Sequence, residues 1–216
     1  MDYRSELLPG PKVVGYYDGG RSADPIQKYA NDARILEQAL QDEPNNARYV
    51  FYLAQSYRDS NQLEKSLHAY QRRVDMGGWA EEVWYALYEI AMLSERLGFE
   101  AATVVYRYLQ AYQFRPQRAE PLGQLACFYR QRNQYALSHL FAERAIAIPK
   151  PKDSLFLNNS YYDWLNLDEY AIASYWIGDY QESARACHQL LDSALLPAAE
   201  RARVIDNLNF ALRALK

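Results

Sequence analysis

Several things are missing from this sequence, and each absence removes a class of function. No run approaches 18 apolar residues and no apolar stretch lies near the N-terminus, so neither a membrane-spanning helix nor a secretory leader is expected. There are two cysteines, Cys127 and Cys187, far apart and inside helical patterns. They read as buried thiols, and with the missing leader they fit a soluble, cytoplasmic chain. None of the three histidines, His68, His139 and His188, has a His or Cys four residues away, so no metal site and no cofactor is expected. His188 adjoins Cys187, but neighbours on a helix point about 100° apart. A Walker A loop, a Gly-x-Gly-x-x-Gly turn and a Gly-x-Ser-x-Gly elbow are all missing. The net charge of −3 supplies no basic face for a nucleic-acid backbone.

What is present is helical and periodic. Leu53, Ala54 and Tyr57 form one helical stripe, Ser60-Asn61-Gln62 breaks it, and Leu63, Leu67 and Tyr70 form a second that ends before Gly77-Gly78. Trp84 and Leu87 recur 34 residues after Val50 and Leu53. Two helices and a tight turn at that period predict a tetratricopeptide repeat, and hence an all-α, right-handed superhelix (an α-α solenoid) of about four hairpins plus flanking helices. Half of the residues are apolar and twenty are tyrosines. Most of those rings are expected to fill inter-helix space, leaving some for a binding surface.

The predicted organisation is an extended lead-in or linker over residues 1–24, then a repeat domain over 25–215 with an irregular insertion near 149–160. In the lead-in, six Pro and Gly residues break any helix, and Lys12–Tyr17 is expected to be extended. Asp24-Pro25 opens the first helix as N-cap and N1, with Gln27 in a capping-box position and Tyr29, Ala33, Leu36 and Leu40 as its stripe. The first full repeat begins at Ala47. In the second, from Glu81-Glu82, an extra turn is expected between its two helices. The third carries Leu125, Ala126 and Tyr129, and the fourth spans Tyr161 to Leu191. Ser154–Leu157 in the insertion is expected to be briefly extended. A capping helix over about 197–215 bears Val204, Leu208 and Leu212.

In such arrays the first helices of successive hairpins line the inner face. The repeat register puts Arg48, Phe51, Gln55 and Arg58 there, followed by Glu82, Tyr85 and Glu89, then Glu120, Cys127 and Arg130, then Asp168, Ile172 and Tyr175. The binding candidates are Arg48, Gln55, Arg58, Glu82, Tyr85, Glu89, Glu120, Arg130, Asp168 and Tyr175. Carboxylates, guanidiniums and tyrosine rings on one face can hydrogen-bond a hydroxyl-rich ligand while stacking on its apolar side, or hold a peptide. Alternatively, the charges pair between neighbouring repeats. Glu81 and Glu82, adjacent at a helix start, suit the helix dipole better than acid–base catalysis. No catalytic residue is expected.

Further stretches are more distinctive than the repeat itself. They include Asp24-Pro25 with Lys28-Tyr29, Arg48 to Asp59, Gly78-Trp79-Ala-Glu81-Glu82-Val-Trp84, Arg115-Pro116 with Arg118 and Glu120, Leu155-Phe156, and Asp168-Glu169 before Gly178-Asp179-Tyr180. Over about residues 18–212 these resemble the helical C-terminal region behind the catalytic domain of some bacterial and viral family 2 glycosyltransferases of GT-A type. The resemblance implies a non-catalytic module that positions a glycan acceptor or a partner for an upstream transferase domain. The nucleotide-binding α/β half and its Asp-x-Asp motif are not in this sequence. The other reading is a stand-alone adaptor that binds a peptide or protein in its concave groove.

Overall fold

The computed structural model describes residues 24–216. The lead-in over 1–23, with Lys12–Tyr17, lies outside the described residues. Among the described residues there are ten α-helices, one π-helical turn and no strand. Helix α1 (Pro25–Asp42) precedes four antiparallel hairpins: α2 (Ala47–Asp59) with α3 (Leu63–Asp75), α4 (Ala80–Arg96) with α5 (Ala101–Phe114), α6 (Glu120–Arg130) with α7 (Tyr135–Ile146), and α8 (Asn166–Trp176) with α9 (Tyr180–Asp192). The π-helical turn (Tyr161–Leu165) leads into α8, and α10 (Ala198–Ala214) closes the array.

The start of α1 shows how local sequence sets a boundary. The Asp24 carboxylate accepts the Gln27 backbone N–H at 3.0 Å and Pro25 sits in the first turn. The Gln27 side-chain amide donates to Asn31 Oδ1 at 3.3 Å, one turn further along the helix.

All four hairpins turn by one device. Asn61, Gly98, Asn133 and Gly178 have positive φ, from 59° to 87°. After each, the next backbone N–H reaches back over the helix end: Gln62 to Tyr57 O at 2.8 Å, Phe99 to Ser94 O at 3.0 Å, Gln134 to Tyr129 O at 3.0 Å, Asp179 to Ser174 O at 2.9 Å. This is the Schellman closure, which needs a left-handed residue and therefore selects Gly or Asn. One turn into the second helix, fully buried Ser66, Ser138 and Ser183 let the two helices approach closely, and Ser66 Oγ donates to Ala54 O at 2.7 Å.

Aligned on these turns, the second repeat corrects an expectation. Its additional turn is not between the helices. It lies at the N-terminal end of α4, which has 17 residues against 13 in α2, so Glu81 and Glu82 stand on it. The C-terminal helix is also rotated from the expected stripe: Val204, Leu208 and Ala211 are buried while Leu212 is exposed. Residues 149–158 carry no helix or strand, and the segment expected to be extended bends at Leu155 and Phe156.

Three apolar clusters run along the array, centred on Phe51 and Tyr70, on Trp84 and Tyr108, and on Tyr170 and Leu190. Trp84 is fully buried and stacks on Tyr88 with ring centroids 5.3 Å apart. Gly123 marks the tightest approach. A Cβ there would lie 2.2 Å from Asn166 Oδ1 and 2.7 Å from the Tyr161 ring, so α6 can meet the π-helical turn only as glycine. Gly123→Ala is expected to lower stability by about 1–3 kcal/mol through overpacking. Trp84→Ala should cost about 3–5 kcal/mol. Trp79 caps α4 but is 46% exposed, and Trp79→Ala should change stability by no more than about 1 kcal/mol. Chemical denaturation of the three variants checks this order, and equal losses for the two tryptophans would contradict it.

Candidate functional site

The first helices of the hairpins, α2, α4, α6 and α8, carry the expected candidates, and nearly every charge among them is paired. Arg58 donates through Nε to Asp59 Oδ1 at 2.8 Å and through Nη1 to the Tyr85 hydroxyl at 2.9 Å, and it forms an ion pair with Glu89. Glu82 accepts from Arg73 Nε and Nη2 at 3.0 and 2.8 Å. Glu120 accepts from Arg118 and from the Tyr162 hydroxyl at 2.6 Å. Arg130 grips Glu169 at 2.6 and 2.9 Å, and Asp168 accepts two bonds from Arg203, both 3.0 Å. Glu82, Glu89, Glu120 and Asp168 are buried. These inner-face positions therefore pack between helices, and their charges pair within the scaffold. The reason is that each carboxylate meets a guanidinium, from a neighbouring helix for Glu82, Glu89 and Asp168 and from Arg118 just ahead of α6 for Glu120, and a paired, hydrogen-bonded charge can be buried where a lone one cannot.

The remaining candidates are more open. Arg48 is exposed, donating to the Tyr52 hydroxyl at 2.9 Å and lying 3.8 Å from Glu82. Gln55 lines a hollow of about 370 Å³ with Tyr29, Ile35 and Tyr52. Tyr175 leans on Trp176 and Tyr180 and borders a smaller pocket with Ile172 and Phe210.

The electrostatics follow from this packing. Burial alone would lower Arg58, but Tyr70, Asp59, Glu89 and Tyr85 outweigh it and hold its pKa raised. Burial, with Glu89 beside it, raises Tyr85. Burial also raises Asp168, with Arg203 opposing and Glu169 and Glu200 adding to the rise. The Cys187 thiol is pushed up to about 11 by burial. Both cysteines are free thiols, and burial raises Cys127 as well. Among the described residues no three His, Cys, Asp or Glu side chains cluster as metal ligands, and no helix is long and apolar enough to cross a membrane.

The largest feature of the inner face was not anticipated. The 149–160 segment lies across it. Asp153 pairs with Arg115 at 2.6 Å and with Arg118 at 3.2 Å. The Ser154 and Leu155 N–H groups donate to Glu81 Oε2 at 3.0 and 2.7 Å. Arg118 donates to the carbonyls of Leu155 and Phe156 at 3.3 and 3.1 Å. Phe156 lays its ring on Tyr85, centroids 4.4 Å apart, and near Phe51 at 6.1 Å. Glu81, expected to serve the helix dipole, thus holds a backbone. Beyond Phe156 the strap walls a hollow of about 580 Å³ with Tyr85, Tyr88, Glu89, Met92 and Gln124.

Among solved structures the chain is similar to BtubC (BKLC) from P. vanneervenii, with a TM-score of 0.65 at 12% identity over 92% of this chain and 85% of that one. It is also similar to a tetratricopeptide repeat protein from Parabacteroides merdae (TM-score 0.60, 18% identity, 88% of this chain and 70% of that one). A third is TTC0263, a thermophilic TPR protein in Thermus thermophilus (TM-score 0.53, 14% identity, 85% and 92%). The fold is a tetratricopeptide-repeat α-solenoid. A scan against models of known protein families finds no match, and a search of curated protein sequences finds none either. At these identities the likeness is one of fold, and the chemistry of this repeat array has to be read from its own residues.

The Asp168–Arg203 pair gives a test of the charge network. A carboxyl with a raised pKa binds its proton more readily in the folded state, so its contribution to stability improves as pH falls. Arg203→Ala should cost about 1–3 kcal/mol at pH 7, less than a fully buried pair because Arg203 is 40% exposed. Protonation then relieves the stranded carboxylate. The deficit relative to wild type should shrink between pH 7 and 4.5, measured by denaturant midpoints, and a deficit that stays constant would contradict this account.

Proposed function

We propose that the chain is a non-catalytic scaffold that holds an extended segment of a partner protein in its concave groove, across α2, α4 and α6. The observation that carries this reading is the strap. A stretch of this chain already lies in the groove, held by side chains that grip its backbone (Glu81 and Arg118) and by a ring contact with Tyr85. Side chains spaced to hold one extended peptide are suited to another, and main-chain bonds with pockets for alternate side chains are a recurring mode of peptide recognition. The hollow beside Phe156 offers Tyr85, Met92, Glu89 and Gln124 to whatever continues along the groove.

The second reading, an accessory module that places a glycan acceptor for a family 2 glycosyltransferase, is favoured by the residues that carry that resemblance. Several of them, Glu82, Arg118, Glu120 and Asp168, are engaged in buried ion pairs of the scaffold. This moves the weight to the peptide reading.

The two separate in one screen. The purified chain is tested against a peptide library and an oligosaccharide panel, and hits are repeated with Tyr85→Ala. Arg58→Ala is unsuitable, since it would strand buried Glu89. Peptide binding weakened by about 1–3 kcal/mol in Tyr85→Ala, with helicity retained, is the expected outcome. Saccharide binding lost in that variant supports the module reading. Hits indifferent to Tyr85 place the site elsewhere.

A further inference from the structure

The strap has the features of a ligand that happens to be covalently attached. Two of its clamps recognise no sequence: Glu81 takes the N–H groups of Ser154 and Leu155, and Arg118 takes the carbonyls of Leu155 and Phe156. Three side chains are read individually. Asp153 meets Arg115 and Arg118, Leu155 packs into the cluster around Phe51, and Phe156 lays its ring on Tyr85 at a tilt of 32°. Asp-x-Leu-Phe is thus the pattern that the groove selects from its own chain.

The hold on Phe156 is incomplete. Its backbone is left-handed, at φ 46°, a region that a bulky residue rarely adopts. Its side chain is nearly half exposed despite the ring contact. The Arg118–Glu120 pair and the Trp84 face under Arg118 do not depend on the strap, so that part of the clamp stays in place, and an incoming segment restores the carboxylate and carbonyl acceptors that the strap withdraws. A free segment with the same side chains and an unstrained backbone would make the same contacts without that conformational cost.

Resting on the groove reading above, we infer that the partner segment carries an acidic residue followed at the third position by an aromatic one, with an aliphatic residue between (Asp/Glu-x-aliphatic-aromatic). Residues 153–156 are a resident copy of it that the partner must displace. A tethered competitor acts at an effective concentration of the order of millimolar, so the resident copy screens out weak or mismatched segments and admits only a better one. The strap sets the affinity threshold of the groove.

The test uses the whole chain and, as probe, a labelled synthetic peptide of residues 151–159, Pro-Lys-Asp-Ser-Leu-Phe-Leu-Asn-Asn. The double variant Asp153→Ala/Phe156→Ser loses the resident anchors and is expected to bind the probe at least about tenfold more tightly than wild type. Phe156→Ala alone removes one half-exposed ring and leaves every ion pair, so it keeps the fold. It should gain about threefold to fivefold. A probe with its own Phe replaced by Ala should not bind, and adding Tyr85→Ala to the double variant should abolish the gain. Absence of any gain in Phe156→Ala, with wild-type helicity, would overturn the inference. So would a gain that ignores the probe's phenylalanine. If library peptides bind through Tyr85 equally tightly to wild type and to Phe156→Ala, the groove reading stands and the resident-competitor inference fails. If they bind without Tyr85, the groove reading itself fails.

Discussion

Arg118 has no exposed surface, and five groups are arranged around its guanidinium: the Glu120 carboxylate, Asp153, the carbonyls of Leu155 and Phe156, and the face of Trp84 at 3.6 Å. A buried cation is tolerable only when it is surrounded in this way, since desolvating it unpaired would cost several kcal/mol. The constraint runs in both directions. The strap lies where it does because Arg118 needs acceptors, and Arg118 can be buried because the strap supplies them. Trp84, the largest residue of the middle cluster, is in turn covered by that guanidinium. Core, ion pair and groove therefore share one side chain.

The other charge pairs repeat the logic on a smaller scale. Arg58 with Glu89, Arg73 with Glu82, Arg130 with Glu169 and Arg203 with Asp168 each join neighbouring elements near the inner edge of a helix. Such pairs add little net stability over apolar packing. They are directional, however, and their forks fix how one element sits on the next. A surface that looked like a row of free ligands for hydroxyl groups is largely a set of internal bolts, and the open chemistry is left to the rings of Tyr52, Tyr85 and Phe156 with Arg48 at the edge.

The helices were legible in the sequence because their signals are local. The Asn and Gly turns, the Asp24-Pro25 start and the stripe around Ala54 and Tyr57 each follow from a few adjacent residues. Other features depend on distant partners and left no such mark. Nothing near Glu81 announces that it will catch the backbone of Ser154, and nothing near Arg73 says that a cation on that stripe will face Glu82. The strap itself, with Pro149 and Pro151 and no periodicity, reads as an interruption. Only the pairing of Asp153 with Arg115 and Arg118 turns it into part of the groove. The additional turn of α4 shows in the sequence only as surplus length in the second repeat, and length alone does not say on which side of the hairpin turn it falls.

That additional turn changes how the array behaves as a unit. Ordinary repeats touch only their neighbours, so an array can gain or lose a repeat at either end and fold outward from any point. Here the longer α4 projects Glu81 to meet a segment that the chain reaches only after α5, α6 and α7 have been laid down. The second and third repeats, between which α5 and α6 pack less closely than other neighbouring helices, are buckled together from the far side. A duplication or deletion between α4 and the strap would part the buckle. The portion from α4 to the strap is thus closed on itself, in an architecture whose usual virtue is that its pieces are interchangeable.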